Sequence, residues 1–324
     1  MTPPESTAAC TGQPLVSIGM PVYNGERYVN EALRSLLAQD YPNLEIIVSD
    51  NVSTDQTAHI CQEHARHDYR VRYHRAEQNR GASWNFNRVF ELSRGQYFMW
   101  AGHDDLWAPE CVGRCVERLE ADPEAILCHS SSQPISMSDD RPIGAPYLGD
   151  SFVNEATTVR GRWSAAVRKN SLHAAIYGVI RRSALEKTRR FGITIGADAV
   201  LTAELSLQGK IIGLPEPLSW KRVPNDLAEY RTHKEMLAYL GCSKSRQQWL
   251  PQLAIVREMN CGLSHAVLTP DLRRRLTRDA YWIYASDKLL IADLKYFLIN
   301  WIGPARYRQW SRFFRPARLP TPWH

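Results

Sequence analysis

The sequence predicts a doubly wound α/β protein with a mainly parallel sheet and a helical C-terminal extension. Over residues 14–130, short apolar runs rich in strand-forming residues alternate with segments of helical periodicity. A helical pattern returns over residues 234–302. Alternation of this kind produces a parallel sheet with right-handed crossovers and helices on both faces.

The first half of the chain supplies five predicted strands and the helices between them. The first strand, Leu15–Pro21, is followed by the turn signal Asn24-Gly25 and by helical spacing over residues 26–39. The other predicted strands are Leu44–Val48, Val71–His74, Gln96–Ala101 and Ala125–Ser130. Helices are predicted after Ser53-Thr54-Asp55, over residues 82–93, and from Pro109 to Glu120, where the proline suits a first helical turn.

The second half is less regular. A polar connector is predicted over residues 134–152. The helices predicted after it are Thr157–Arg168, one starting at Ser183, and Ala199–Gln208. The predicted strands are Ala174–Ile180, Lys210–Leu214 and Pro217–Trp220. We expect a disordered N-terminus at residues 1–13, one domain over 14–235 with halves at 14–130 and 131–235, and a helical basic extension over 236–324.

Polar side chains follow three of the predicted strands at the point where each strand ends. They are Tyr23 with Asn24, Asp50 with Asn51, and His103 with Asp104 and Asp105. Because open α/β sheets bind ligands at the carboxyl ends of their strands, these groups indicate a ligand site at one edge. Adjacent carboxylates suit Mg²⁺ or Mn²⁺ bridging phosphates, although an Asp-Asp pair alone is also typical of a solvated turn or cap.

Two nucleotide-binding motifs are missing from the sequence. No G-x-G-x-x-G follows the first predicted strand, and the chain contains no P-loop. The sequence therefore disfavours a dinucleotide-binding Rossmann domain.

The cysteine content and the apolar segments indicate the cellular compartment of the protein. Seven scattered cysteines fit reduced thiols in a cytosol better than a disulfide framework. Residues 1–14 lack the apolar stretch of a signal peptide, and no apolar run is long enough to span a bilayer. We therefore expect a cytoplasmic protein.

The positive charge is concentrated at the C-terminus. Residues 271–324 hold 11 Lys and Arg against 4 Asp and Glu, while the whole chain carries +6. A near-neutral body argues against a nucleic-acid partner. The tail also carries Trp282, Trp301, Trp310 and Trp323. This mixture fits peripheral contact with an anionic membrane surface, and it fits equally a helical tail packed on the body with a solvated basic face.

Four segments follow one another in the chain: Val16–Asn24, Ile46–Asp55, Asn79-Arg80-Gly81, and His103-Asp104-Asp105 with Pro109. In this order and at this spacing they resemble the motifs of the inverting family 2 glycosyltransferases of the GT-A fold. Each segment alone is weak evidence for the family, but all four in this order are specific evidence for it. The resemblance is strong over residues 14–130, moderate over 170–235, and absent beyond.

The resemblance implies roles for the positions that match the family's motifs. The implied nucleotide-sugar contacts are Pro21, Tyr23, Asn24, Asp50, Asn79, Arg80 and Asp104. The implied metal ligands are Asp104, Asp105 and His233. The cofactor would be Mn²⁺ or Mg²⁺, which neutralises the charge that builds on the departing nucleoside diphosphate. Which of the two acids touches the metal, and whether His103 joins them, stays open, because Gly102-His103 departs from the usual motif.

The resemblance also implies a catalytic carboxylate on the acceptor side. Asp198 matches the general base that takes the proton of the attacking hydroxyl. The alternatives are that Asp198 is an ordinary helix N-cap or that Glu204 is the base. Trp107 is a weaker candidate for a wall of the sugar or acceptor pocket.

The function implied is metal-dependent, inverting transfer of a sugar from a UDP- or dTDP-sugar to a glycan or lipid-linked acceptor. Polysaccharide or cell-surface glycan synthesis at the inner face of the membrane would be the setting. Two alternatives stay open. A nucleotidyltransferase would share the sheet and the carboxylates, and a catalytically inactive GT-A-like binding module would explain the departures at Gly102, His103 and Ala197.

Overall fold

The computed structural model describes residues 12–146, 153–169, 174–223, 238–241 and 250–302. Eight strands form one sheet in this part of the chain. They are β1 (Val16–Val22), β2 (Leu44–Asp50), β3 (Val71–Arg75), β4 (Tyr97–Trp100), β5 (Leu106–Trp107), β6 (Ala125–Ser136), β7 (Val179–Arg181) and β8 (Lys210–Val223). The predicted disordered residues 1–11 lie outside the described residues.

Helices connect the strands and continue beyond the sheet. In the first half they are α1 (Val29–Leu37), α2 (Thr57–His67), α3 (Ala82–Glu91) and α4 (Cys111–Ala121). In the second half they are α5 (Val159–Arg168), α6 (Arg182–Leu185), α7 (Ala197–Gln208), α8 (Pro251–Gly262), α9 (Pro270–Ser286) and α10 (Lys288–Ile302). A 3₁₀ turn at Ala174–Tyr177 precedes β7.

The strand order is β3-β2-β1-β4-β7-β6-β8-β5. The first four strands in this order are mutually parallel, β7 runs antiparallel to both of its neighbours, and β6 is parallel to β8. The prediction of a mainly parallel sheet is therefore confirmed. The parallel strands end together at one edge, which places the loops after β1, β2 and β4 side by side.

The second half of the sheet differs from the predicted elements. β6 extends to Ser136 and so includes the first residues of the connector predicted over 134–152. β8 is one continuous strand, whereas the sequence predicted two. β6 can contain Pro134 because β7 pairs only with Leu127 and Cys128, near the beginning of β6. Proline has no main-chain N–H, and at position 134 no bond to β7 is lost. The predicted strand Ala174–Ile180 begins as a 3₁₀ turn, and the helix predicted from Ser183 is only four residues long.

The described C-terminal helices pack on the body. Trp163 of α5 is fully buried and donates its indole N–H to the Leu276 carbonyl of α9 at 3.0 Å. Val256, Met259 and Ile283 belong to the same buried cluster as the residues of α7. Helices α8 to α10 therefore share the core of the sheet domain, and α8 packs against α7, the helix that carries Asp198.

A buried carboxylate fixes the amino-terminal ends of the parallel strands. Glu45 on β2 accepts a hydrogen bond from the Ser17 hydroxyl at 2.6 Å. It also accepts from the Arg94 main-chain N–H and pairs with the guanidinium groups of Arg72 and Arg94. Burial alone would raise the pKa of Glu45, but these donors outweigh it and hold the pKa below its ordinary value.

Glu45→Gln is expected to lower the free energy of unfolding at pH 7 by about 1–3 kcal/mol, since buried donors lose a charged acceptor. Because the folded-state pKa is lowered, this contribution is complete above the unfolded-state pKa near 4.5 and disappears as the pH falls below it. Urea unfolding of both proteins between pH 3 and 7 measures the difference. The exposed Glu117→Gln is the control, and a constant difference across this range would contradict the account.

Candidate active site

The loops after β1 and β2 are joined by hydrogen bonds at the carboxyl edge of the sheet. The Asn24 main-chain N–H donates to the Ser53 hydroxyl at 2.9 Å, and the Thr54 N–H donates to Asn24 Oδ1 at 2.8 Å. Asn24 has a φ of 51°, which asparagine tolerates better than most residues. Pro21 is buried below this loop, and the Tyr23 side chain is exposed.

Asp50 is buried at the end of β2 and organises the turn that follows. Its Oδ1 accepts from the Ser53 N–H at 2.7 Å. Its Oδ2 accepts from the Tyr73 hydroxyl at 2.7 Å and pairs with Arg75 at 2.6 Å. These partners explain a structural role for the carboxylate, and its direct contact with a nucleobase stays a prediction.

Asn51 anchors the third predicted segment of the site. Its amide donates to Asn79 Oδ1 at 2.9 Å, and its Oδ1 accepts from the Arg80 N–H at 3.1 Å. The Arg80 guanidinium lies 4.5 Å from the centre of the Trp84 ring. Asn79 and Arg80 are exposed, so the loop presents a cation and an amide beside the strand ends. Gly81 takes a φ of 82° and packs directly against the backbone of Gly241.

The two acids after β4 lie in different environments. Asp105 is buried, and its Oδ2 lies 2.5 Å from Lys221 Nζ at the end of β8. Burial raises the pKa of Asp105, and the Lys221 ammonium opposes that shift. Asp104 is half-buried; its main-chain oxygen accepts from Arg222 at 3.0 Å, whereas its carboxylate has no hydrogen bond or ion pair within the described residues. The structure thus separates a paired acid from an available one.

His103 lies between these acids and the first loop. A Cβ atom at Gly25 would fall 2.5 Å from His103 Cδ2, so the imidazole packs directly on the Gly25 backbone. This contact brings the acidic segment against the loop after β1. Whether His103 forms a wall of the sugar pocket or contacts the metal stays a prediction.

Asp198 lies in the first turn of α7. The N-cap of this helix is Gly196, with a φ of 73°, so the alternative that Asp198 is the cap is wrong. Tyr177 is close enough to Asp198 and to the two acids after β4 to interact electrostatically with all three. Burial is the main cause that raises its pKa, and the charges of Asp105, Asp104 and Asp198 raise it further. Tyr177 therefore remains a protonated phenol surrounded by the predicted functional carboxylates.

Comparison with known proteins identifies the family. The model of Glycosyl transferase family 2 matches residues 17–187, which is more than half of the chain. The chain belongs to this family. The family assignment favours glycosyl transfer over the nucleotidyltransferase alternative, and it is consistent with the four segments that carry the resemblance.

Relatives of this family 2 chain include a putative teichuronic acid biosynthesis glycosyltransferase, TuaG, of Bacillus subtilis. It is 33% identical over 105 residues, which are 32% of this chain and 42% of the relative. The chain also covers less than half the length of other similar curated relatives, such as a Rickettsia typhi glycosyltransferase and an Escherichia coli chondroitin synthase.

Solved structures share the fold of this family 2 chain. S. aureus TarS in complex with UDP-GlcNAc matches with a TM-score of 0.61 at 16% identity, over 87% of this chain and 78% of that chain. The mannosyltransferase PcManGT from Pyrobaculum calidifontis, in complex with GDP-Man and Mn²⁺, matches with a TM-score of 0.51 at 17% identity, over 88% of each chain. The predicted GT-A fold is confirmed.

The acids of this family 2 chain suit a cation that is shared with a diphosphate. Within the described ranges, no group of three or more His, Cys, Asp or Glu residues could hold a metal ion. His233, the predicted third ligand, lies outside the described residues. Mg²⁺ commonly takes one or two protein carboxylates and completes its shell with phosphates and water. The available Asp104 carboxylate fits that arrangement.

Two other predicted residues serve the structure of this family 2 chain. Glu204 is buried, and both of its oxygens accept from Arg189, at 2.6 Å and 2.7 Å. That pairing favours Asp198 over Glu204 as the base. Trp107 is buried in the core next to Lys221, which leaves it unsuited to a sugar-stacking wall.

Lys221 and Tyr177 are candidate site residues that the sequence did not indicate. Lys221 is separated from Asp105 by 116 positions, and only the pairing of β5 with β8 brings the two together. Tyr177 lies in a segment whose pattern reads as a strand. Neither position carries a local motif that could have identified it.

The Asn51 anchor leads to a testable expectation. Asn51→Ala is expected to weaken nucleoside diphosphate binding by about tenfold, since ordering a released loop residue costs 1–2 kcal/mol. Titration calorimetry measures the affinity. The control is Asn154→Ala, which removes a buried amide bonded to the Arg162 carbonyl at 2.8 Å in the other half of the domain. The control variant should lose stability but keep its affinity for the nucleoside diphosphate. Equal losses of affinity in both variants would contradict the assignment of the Asn51-anchored loop to the nucleotide site.

Proposed function

We propose that this chain transfers a sugar from a nucleoside-diphosphate donor to a hydroxyl of a glycan or lipid-linked acceptor, with inversion at the anomeric carbon. The observation that carries the proposal is the available carboxylate of Asp104 after β4, at the same sheet edge as the loops after β1 and β2 and close enough to Tyr177 for its charge to act on that residue together with the charge of Asp198. A relative named for teichuronic acid biosynthesis supports a role in cell-surface polysaccharide synthesis.

In this proposal the donor lies along the carboxyl edge of the parallel strands. The base would bind among Pro21, Tyr23, Asn24 and Asp50. The diphosphate would lie beside Asn79 and Arg80, because an exposed guanidinium matches phosphate geometry. A fold neighbour in complex with UDP-GlcNAc supports a UDP-sugar, and dTDP-sugars stay included.

The cation would bind at Asp104. His233 is the other proposed ligand, whereas Asp105, which the resemblance also implied as a ligand, is paired with Lys221 at 2.5 Å. When bound, Mn²⁺ or Mg²⁺ supplies positive charge for the diphosphate leaving group. A fold neighbour in complex with Mn²⁺ supports this choice of cofactor.

Asp198 would act as the general base. Its carboxylate would take the proton of the acceptor hydroxyl while that oxygen forms a bond to the anomeric carbon. The bond between the anomeric carbon and the phosphate oxygen breaks, and its electron pair leaves with the nucleoside diphosphate. Tyr177 would keep its proton beside these groups and could donate a hydrogen bond to the sugar or the phosphate, because its pKa is raised.

Thermal unfolding with UDP, dTDP, GDP or CDP, each with Mn²⁺ or EDTA, tests the donor site. A ligand that binds only the folded state at about 100 times its Kd adds about 2.7 kcal/mol of stability. We expect one nucleotide to raise the Tm in Mn²⁺ and to lose most of that effect in EDTA. A folded protein that responds to none of the four would overturn the proposal.

We also place the C-terminal region at an anionic membrane surface. Helix α10 packs on the body with one side and leaves an apolar face exposed on the other. Its members are Ile291, Leu294, Phe297 and Trp301. Basic residues predominate over residues 271–324, and acidic bilayers attract such segments. No helix in the described part of the chain combines the length and apolarity needed to cross a bilayer.

Co-sedimentation with phosphatidylserine-containing vesicles checks the membrane contact. Trp301→Ala is expected to lower the bound fraction several-fold at low salt, because Trp301 is 70% exposed and would lose its buried area in the interface. Tyr69→Ala, which removes an aromatic side chain 89% exposed in the α2–β3 loop, should leave binding unchanged. Equal binding by both variants and the wild type would contradict a contact through α10.

A further inference from the structure

We propose that Lys221 is a positioning residue of the site: it holds Asp105 in an ion pair and leaves Asp104 as the one acid of the pair that meets the cation. This inference rests on the proposed function. It resolves the question that the sequence left open, namely which of the two adjacent carboxylates is available.

The pairing of the strands places Lys221 opposite Asp105. β5 runs antiparallel to β8 with Leu106 opposite Trp220, so the residues next in register are Asp105 and Lys221. Lys221 Nζ lies 2.5 Å from Asp105 Oδ2, and the Arg222 main-chain N–H donates to Asp105 Oδ1 at 3.3 Å. Both oxygens of Asp105 therefore have partners from one strand.

The surroundings of Lys221 keep its ammonium in this place. The side chain is 13% exposed, and Nζ lies 3.8 Å from the centre of the Tyr177 ring and 5.4 Å from that of Trp107. Aromatic faces attract a cation at these distances. Moving Asp105 onto a metal would leave the Lys221 charge buried without its partner, which is strongly unfavourable.

The next residue of β8 fixes Asp104 by its backbone. The Arg222 side chain is fully buried and donates to the Asp104 carbonyl at 3.0 Å. The same guanidinium is held by Asp140, through two bonds of 2.7 Å and 2.8 Å, and it lies 4.6 Å from the centre of the Tyr28 ring. Two successive residues of β8 therefore contact the two acids in different ways. Lys221 pairs with the carboxylate of Asp105, whereas Arg222 binds the main-chain carbonyl of Asp104 and leaves the Asp104 carboxylate without a bond to any residue that the structure describes.

The two acids and Lys221 together therefore contribute one net negative charge to the site. A divalent cation held by a single carboxylate needs the oxygens of the diphosphate to complete its binding. We therefore expect weak Mn²⁺ binding to the protein alone and cooperative binding of Mn²⁺ with the nucleotide.

A double-mutant cycle with Asp105→Asn and Lys221→Met tests the pair. Thermal and urea unfolding give the stability, and the UDP-induced Tm shift with Mn²⁺ gives the binding readout. We expect Lys221→Met alone to lower the Tm and the double variant to recover part of that loss, because the double variant leaves no unpaired buried charge. Lys221→Arg should preserve more stability than Lys221→Met.

The binding readout separates the two acids. The double variant should retain a Mn²⁺-dependent shift with the responding nucleotide, whereas Asp104→Asn should lose it. A folded double variant without the shift would overturn the inference, because Asp105 would then be the ligand. Additive stability losses in the cycle would overturn it as well. If the wild type responds to no nucleotide, the proposed function fails, while the stability cycle still reports on the ion pair.

Discussion

Asp198→Asn is expected to lower the kcat of sugar transfer by about 10²–10⁴-fold, the range that general-base catalysis contributes. An amide cannot take the proton of the acceptor hydroxyl. Nucleotide binding should be unchanged, because the proposal assigns Asp198 to the acceptor hydroxyl and not to the nucleotide contacts. The measurement is nucleoside diphosphate release with acceptor present, together with the Kd of the nucleotide.

Glu204→Gln is the matched control for this prediction. Glu204 lies on the same helix, but it is buried and paired with Arg189. Its neutral variant should lose stability and keep the kcat of the fraction that remains folded. A loss of turnover confined to the Glu204 variant, with Asp198→Asn fully active, would reassign the base.

Asp104→Asn is expected to abolish the Mn²⁺-dependent part of nucleotide binding and to lower turnover by at least about 10²-fold. A metal ion supplies several kcal/mol of charge stabilisation at a phosphoryl oxygen, and the amide is a poorer ligand for a hard cation. Calorimetric titration of the responding nucleotide with Mn²⁺ and with EDTA measures the first effect. Stability should change little, because the Asp104 carboxylate has no partner among the described residues.

Asp139→Asn is the control for that variant. Asp139 is a half-exposed carboxylate paired with Arg141 near the same edge, and it has no proposed contact with the donor. Loss of the Asp139 charge should leave nucleotide binding and turnover unchanged. Equal effects of the two variants would show that general surface charge, not a metal ligand, draws the nucleotide.

The first half of the fold was predictable because its signals are local. β1, β2 and β3 begin within one residue of their predicted starts; β1 and β2 are buried throughout, and β3 is buried at Val71 and partly buried after it. The later strands could not be read in the same way. β8 contains Pro215 and Pro217, and its continuity depends on bulged pairing with β6.

The placement of the candidate site residues was predictable where they follow strand ends, and it was not predictable where it depends on tertiary pairing. Asp104 and Asp105 lie at the expected edge, but their sequence adjacency hides a difference that Lys221 creates from a distant strand. Asp50 also has partners that its sequence position does not reveal, namely Tyr73, Arg75 and Ser53, and its contact with a nucleobase stays a prediction. The roles of His233 and residues 303–324 lie outside the described residues and stay predictions.

The most direct test of the account is a crystal structure with Mn²⁺ and the nucleoside diphosphate that raises the Tm, with the metal located by anomalous scattering. We predict one Mn²⁺ peak in contact with the Asp104 carboxylate and the diphosphate oxygens, beside the Asn79-Arg80 loop, with Asp105 still paired to Lys221. A nucleotide bound away from this edge, or a metal held by Asp105 with Lys221 displaced, would contradict it.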